Sequence, residues 1–278
     1  MRKLAFSTNA FKKSTFAEAI SAIAEAGYSG VELMADIPHA YPLPLNSASR
    51  DSLERQIQSL GLSTSNINGF TLFAAGDTYH PSWIENSREK RDLRIQHTAR
   101  CIELAAEMNC RTVSLQPGGP MIGTSLDKRT ASDRFADGLS RLVPLAEKLD
   151  VTLAVEPEPG LLIQTAAEYL EFKQAYFPHH SKIRMNCDIG HLFCVNEDPA
   201  QIIRSMPDQI AHLHLEDIGA NRVHQHLCPG KGAIDFGSIF AALDQIHYTG
   251  WVTVELYPYE TTAAEVARKA FQFLQPFL

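Results

Sequence analysis

The chain has 278 residues, 45% hydrophobic and 21% charged, an ordinary composition for a soluble protein with a large core. Its formal net charge is -7 and its sequence pI about 5.9, which argues against a duplex-binding surface and against an anionic membrane as partner. The opening run MRKLAFSTNAF is too short in apolar residues for a secretory signal, and no later stretch approaches a membrane span, so a cytoplasmic location is expected.

In chain order, LAFSTN (4–9) reads as a first strand, followed by a helix from about Thr15 that Gly27 stops. GVELMAD is a second strand ending near Asp36, with a helix over 49–60 ending at Gly61. LSTSNING is the third strand, and a long helix covers about 86–108. TVSLQPG (112–118) is the fourth, with one helix expected over 128–149. VTLAVEP, KIRMNCD, IAHLHLED and WVTVELY are the last four strands. Helices near 166–176, 199–205, 236–246 and 262–277 follow them. Alternation of this kind implies parallel strands covered by helices, and eight such units imply closure. The expected fold is α/β, a (β/α)8 TIM barrel formed by residues 1–278 as one domain. A doubly wound open sheet is the alternative, but no G-x-G-x-x-G turn follows the first strand. The five cysteines are an odd number with no C-x-x-C pair and read as reduced thiols.

Four side chains close four separate strands: Glu156 in TLAVEPEPG, Asp188 in NCDIGH, His214 in HLHLED and Glu255 in VTVELYP. A buried strand end is a poor place for an idle charge, because desolvation is expensive. An ion pair could explain either glutamate, and helix capping could explain Asp188. Three carboxylates and one imidazole at one end of a parallel barrel make a site for a divalent cation. Strand alternation places His212, His214 and Glu216 on one side and turns Cys187 away from Asp188. Other residues could reach the same mouth and contact substrate. They are Glu158 in EPEPG, Gln116 in SLQPGG, Glu32 in GVEL, and Arg222 and His226 on the long loop after the seventh strand. His224 and His226 otherwise read as surface histidines, and Lys231 as solvated loop charge.

The segments AEAGYSGVEL, VEPEPG, NCDIGHLF, HLHLED, HLCPGKGAIDF and VTVELYP resemble the sugar isomerase/epimerase superfamily with its xylose-isomerase-like barrel, over the whole chain. That resemblance implies that Glu156, Asp188, His214 and Glu255 bind one divalent metal and that Glu156 and Glu255 also transfer protons. It implies that His191, closing D-x-x-H, contacts substrate. Oxygen-rich ligation favours Mn²⁺, with Co²⁺, Mg²⁺ or Zn²⁺ also open. The implied activity is isomerisation or epimerisation of a small sugar, keto-sugar or inosose through an enediolate. A dehydratase using the same base and metal is the alternative. Family members are often dimers or tetramers, so a homo-oligomer is expected. Endonuclease IV-like DNA repair is disfavoured by the net charge of -7. A non-catalytic sugar-binding barrel is disfavoured by the apparently complete ligand set.

Overall fold

The computed structural model describes residues 3–278. Eight parallel strands hydrogen-bond in sequence order into a closed barrel: β1 (Lys3–Ser7), β2 (Gly30–Met34), β3 (Ser63–Asn68), β4 (Thr112–Leu115), β5 (Thr152–Val155), β6 (Ile183–Asp188), β7 (Ile210–Leu215) and β8 (Trp251–Val254). The helices are α1 (Phe16–Ala26), α2 (Ser47–Ser59), α3 (Arg88–Glu107), α4 (Lys128–Ser140), α5 (Val143–Lys148), α6 (Ala166–Tyr176), α7 (Ile189–Cys194), α8 (Pro199–Ser205), α9 (Phe236–Gln245) and α10 (Ala263–Leu274). Local chemistry fixes their ends. Thr15 and Glu18 form a capping box on α1, and Gly27 closes that helix at φ 105°.

Three segments differ from expectation. The helix expected over 128–149 is two helices, because Pro144 has no N–H to offer the preceding turn. The first strand stops at Ser7, and Thr8–Phe11 turn as a 3-10 helix that brings Asn9 to the barrel mouth. The segment after β6 is helical from Ile189, capped by Asp188.

Period-two alternation sorts the strands into two environments. Val31, Leu33, Leu153, Val155, Met185, Cys187, Leu213, Leu215, Val252 and Val254 join the core between sheet and helices. Each such side chain contributes roughly 1.5–3 kcal/mol when fully buried. The alternate positions carry polar groups that meet inside the barrel, among them Glu32, Asn66, Asn68, Asp188, His214 and Glu255. Two irregularities set this register. Val31 pairs with Thr64 and Glu32 with Asn66, which leaves Ser65 as an extra residue. Met185 pairs with Ile210 and Asn186 with His212, which leaves Ala211 extra and sets His214 opposite Asp188. Without them the facing pairs would slip by one residue.

α3 carries polar side chains inward. Arg94 is fully buried and donates to the carbonyls of Pro81, Gly69 and Phe70, tying down the chain after β3. His97 Nε2 donates to the Ala35 carbonyl at 2.7 Å. Burial, helped by the Arg94 cation, lowers His97 to a pKa of about 3. The unfolded chain therefore takes up a proton on His97 between about pH 6.5 and 3. Stability from this group is complete above the unfolded pKa and is lost as pH falls below it. His97→Gln, which can still donate to Ala35, should flatten the slope of unfolding free energy against pH between about pH 6 and 4, by approaching one proton, or ~1.4 kcal/mol per pH unit. Denaturant unfolding across that range measures it, and equal slopes would refute the assignment.

Candidate active site

Glu156, Asp188, His214 and Glu255 converge at the ends of β5, β6, β7 and β8. One carboxylate oxygen from each acid and one ring nitrogen of His214 all lie within 4.8 Å of one another. All four residues are buried. His214 Nδ1 is 2.9 Å from Glu156 Oε1, 3.8 Å from Asp188 Oδ2 and 3.7 Å from Glu255 Oε2. The two sequence readings of Asp188 are compatible, because its oxygens divide the work. Oδ1 accepts the His191 backbone N–H at 2.8 Å and caps α7. Oδ2 is buried and has no hydrogen-bond partner.

Charge in this interior is poorly balanced. Among the described residues, the ion pairs of Glu32, Glu156, Asp188 and Glu255 involve histidines alone. Burial, then the neighbouring acids, pushes Glu255 well above the usual carboxyl range, although His214 opposes this. Burial also raises Glu156. Burial alone would depress His214, but the surrounding carboxylates of Glu32, Glu156 and Glu255 outweigh it and hold the imidazole well above its ordinary value. The orphaned Asp188 oxygen, two further carboxylates and an imidazole are the donor set of a divalent cation, and the residues present fit one.

The cavity over this cluster is lined by Asn9, Lys12, Phe70, Phe73, Tyr79, Glu158, His191, His224, His226 and Tyr257, with Glu156 and Glu255 at its floor. Glu158 is buried and accepts from the Tyr79 hydroxyl at 3.0 Å. Burial and the adjacent Glu156 raise its pKa well above the ordinary value. His191 Nδ1 donates to the Pro157 carbonyl at 3.1 Å, and His226 Nδ1 to the Glu255 carbonyl at 2.9 Å. Burial lowers His191 to about 3 and His226 to about 4, so both imidazoles are neutral at pH 7. His226 is thus a buried wall of the cavity and not a surface histidine.

Other expectations need correction. Arg222 does not line this cavity. Its guanidinium lies 3.9 Å over the Phe193 ring and donates to the Phe193 carbonyl. Gln116 is fully buried, with Nε2 donating to the Tyr79 carbonyl at 3.1 Å, so it supports the cavity wall without lining it. Glu32 lies beneath the cluster, not at its mouth, and accepts from His214 Nε2 at 2.7 Å. Sequence reading missed Asn9 and Asn68, whose amides both donate to Glu255 Oε1, at 2.8 and 3.0 Å. The alternating amides of S-N-I-N in β3 were an available signal for Asn68.

It also missed two aspartates that shape the loops. Asp36 accepts from the Thr71 hydroxyl and from the backbone of Ile37, Phe73 and Ala74. Asp217 accepts from the backbone of Ile218, Gly230, Gly232 and Ile234, and so closes the loop that carries His224 and His226. Gly232 permits that approach, since a Cβ there would meet Asp217 Oδ1 at 2.4 Å.

Residues 20–277 match the xylose isomerase-like TIM barrel family. The chain belongs to that family. An inosose dehydratase of Geobacillus thermodenitrificans is 28% identical over 94% of this chain and 89% of its own. A 2-oxo-tetronate isomerase of Pectobacterium atrosepticum is 26% identical over 89% of this chain and 88% of its own. The crystal structure of the IOLI protein with a binding zinc atom superposes with a TM-score of 0.78 at 18% identity, covering 99% of both chains, which shows a shared fold.

Asp217→Ala leaves four backbone donors without their acceptor, a loss of at least about 2 kcal/mol when such groups stay desolvated. The expected melting temperature falls by roughly 5 °C, and limited proteolysis should cut between residues 219 and 233 before elsewhere. Unchanged melting and cleavage would show that the loop is held by other contacts.

Proposed function

We propose that this family member is a metal-dependent enzyme that isomerises or epimerises a small polyhydroxylated carbonyl compound by proton transfer. The observation that carries the reading is the cluster of Glu156, Asp188, His214 and Glu255, buried beneath a cavity, with an unpartnered carboxylate oxygen inside it. These four residues would hold one divalent cation. The zinc atom of the related IOLI structure supports metal binding on this fold. Three oxygen donors and one nitrogen favour Mn²⁺ for this chain. A bound cation would polarise the substrate carbonyl and its neighbouring hydroxyl.

The chain's own residues do the rest. Glu156 and Glu255 would remove and return the proton next to the carbonyl. Without a cation burial raises both carboxyls, and with a divalent cation bound they would be ionised and so able to accept a proton. Two bases on opposite faces of a substrate give epimerisation, and one base serving adjacent carbons gives isomerisation. Glu158, oriented by Tyr79, would bind a substrate hydroxyl, and the neutral imidazoles of His191 and His226 would do the same. Phe70, Phe73 and Tyr257 provide apolar walls. A carbohydrate-like small molecule suits this mixture, and the acidic chain gives no basis for nucleic acid as substrate. Action in the cytoplasm fits the absence, among the described residues, of a helix long and apolar enough to cross a membrane.

Dehydration is the second reading. The inosose dehydratase relative favours it, as does Glu158, a third buried carboxyl that proton shuttling alone does not require. Chelation of the purified protein should abolish turnover, and Mn²⁺ should restore it. Glu255→Gln should lower kcat by about 10²- to 10⁴-fold, with weaker Mn²⁺ uptake by mass spectrometry. Incubation of ketoses and inososes in D₂O separates the two readings. Deuterium incorporation without a new chromophore marks isomerisation, and an absorbing enone-type product marks dehydration. A Glu255→Gln protein with normal metal content and normal turnover would refute the assignment.

A further inference from the structure

We infer that Glu32 is a positioning residue that decides which nitrogen of His214 faces the cation-binding cluster. This rests on the metal-dependent reading above. His214 stands between two carboxylates, with Nε2 2.7 Å from Glu32 Oε2 and Nδ1 2.9 Å from Glu156 Oε1. Nδ1 is also the nitrogen that faces Asp188 and Glu255, at 3.8 and 3.7 Å. An ionised carboxylate only accepts hydrogen bonds, so Glu32 requires a hydrogen on Nε2. With that hydrogen held, the proton that a cation would displace is the one on Nδ1, and the ring would then present its Nδ1 lone pair towards the cluster. The Asn186 side chain lies 3.2 Å from the same nitrogen.

Glu32 cannot turn away to satisfy itself elsewhere. It is 0% exposed, Oε2 accepts from Asn66 Nδ2 at 2.9 Å, and Oε1 accepts from Asn68 Nδ2 at 3.1 Å. His212 Nε2 closes the remaining side at 3.4 Å. Asn68 Nδ2 also reaches Glu255 Oε1 at 3.0 Å. Glu32 therefore orients His214 directly and Glu255 through one shared amide, two of the four groups that would hold the cation. Glu32 touches neither the cavity nor the substrate space, so its effect passes through those two residues. The irregular pairing at Ser65, which sets Asn66 opposite Glu32, has a use on this account: it assembles the donors that keep the carboxylate in place.

Glu32→Gln keeps the shape of the side chain and removes the requirement for a donor, since an amide can present nitrogen or oxygen to His214. Titration of the full-length protein with Mn²⁺ should show affinity weakened by about 10- to 100-fold, with an unchanged circular dichroism spectrum. Asn66→Ala removes one of the donors that hold Glu32 but leaves its carboxylate against His214, so it should weaken Mn²⁺ binding less than Glu32→Gln does. Equal weakening in both variants would reduce Glu32 to a packing residue and overturn the inference. So would a folded Glu32→Gln protein with wild-type affinity, which leaves the metal reading intact. If Glu32→Gln does not fold, nitrogen-15 NMR of the wild type loaded with Zn²⁺ decides. A hydrogen on His214 Nε2 with a metal-shifted Nδ1 supports the inference, and the reverse overturns it. A wild-type protein that takes up neither cation refutes the metal reading, and the inference falls with it.

Discussion

His214 has a buried carboxylate against each ring nitrogen, Glu32 on the Nε2 side and Glu156 on the Nδ1 side, and the electrostatics of the barrel interior depend on that double contact. Like charges a few ångströms apart in a low-dielectric interior repel far more than they would in water. Glu32, Glu156, Asp188, Glu216 and Glu255 are all buried around His214, and the adjacent imidazoles of His191 and His226 are neutral. Lys12 reaches the cavity, but its ammonium is paired with Glu260 at 2.7 Å. An arrangement of this kind is costly unless some carboxyls stay protonated or a cation enters. Burial and mutual repulsion push Glu216 and Glu255 well above the ordinary range, which is the first response. A divalent cation among Glu156, Asp188, His214 and Glu255 would be the second, and it would release the protons that the acids otherwise share.

The packing around Glu216 shows how closely the backbone is fitted to these acids. A Cβ on Gly190 would lie 1.6 Å from Glu216 Oε1, so any larger residue at that position in C-D-I-G-H displaces the Glu216 carboxyl. The loops above are fitted in the same way. Asp36 and Asp217 stand just beyond the ends of β2 and β7, and each gathers backbone donors from a loop that would otherwise be open. The first holds the stretch bearing Phe73, the second the stretch bearing His226. Both are cavity walls, so the cavity mouth is shaped by side chain-to-backbone bonds of strand-end aspartates and not by loop packing alone.

Much of this is legible in the sequence for a simple reason. A buried parallel strand reads as an apolar run, and a charge at its end stands out against that run. Glu156, Asp188 and Glu255 are visible on those terms, and eight such runs separated by helical stretches leave little choice of fold. What was not legible depends on register and on distant partners. Glu32 follows the same apolar pattern as the others, but only the extra residue at Ser65 shows that its carboxylate meets His214 and two asparagines below the cavity. Arg222 has the composition and position of an anion binder, and only the proximity of Phe193 shows that its charge is already engaged. His224 and His226 look like loop histidines until Asp217 is seen folding that loop inward.

Isomerisation and dehydration differ in what happens to a hydroxyl group, and the site can be weighed on that ground. Both begin with proton removal next to a carbonyl, the step proposed for Glu156 and Glu255. Loss of water then needs a donor at the departing oxygen, whereas isomerisation needs only that the proton return to carbon. Glu158 is placed on the cavity wall, two residues from Glu156, with a hydroxyl donor from Tyr79 already on Oε1 at 3.0 Å. His224 Nδ1 lies 3.9 Å from the same oxygen. A carboxyl fixed by Tyr79 is oriented to meet one particular substrate oxygen. The stereochemical relation of that oxygen to the abstracted proton then selects the reaction: an oxygen β to the carbonyl can leave, and one on the neighbouring carbon can only be held. On the proposed roles, the choice between the two chemistries would lie in how the substrate seats against Glu158, while the proton-abstracting pair would be the same for both.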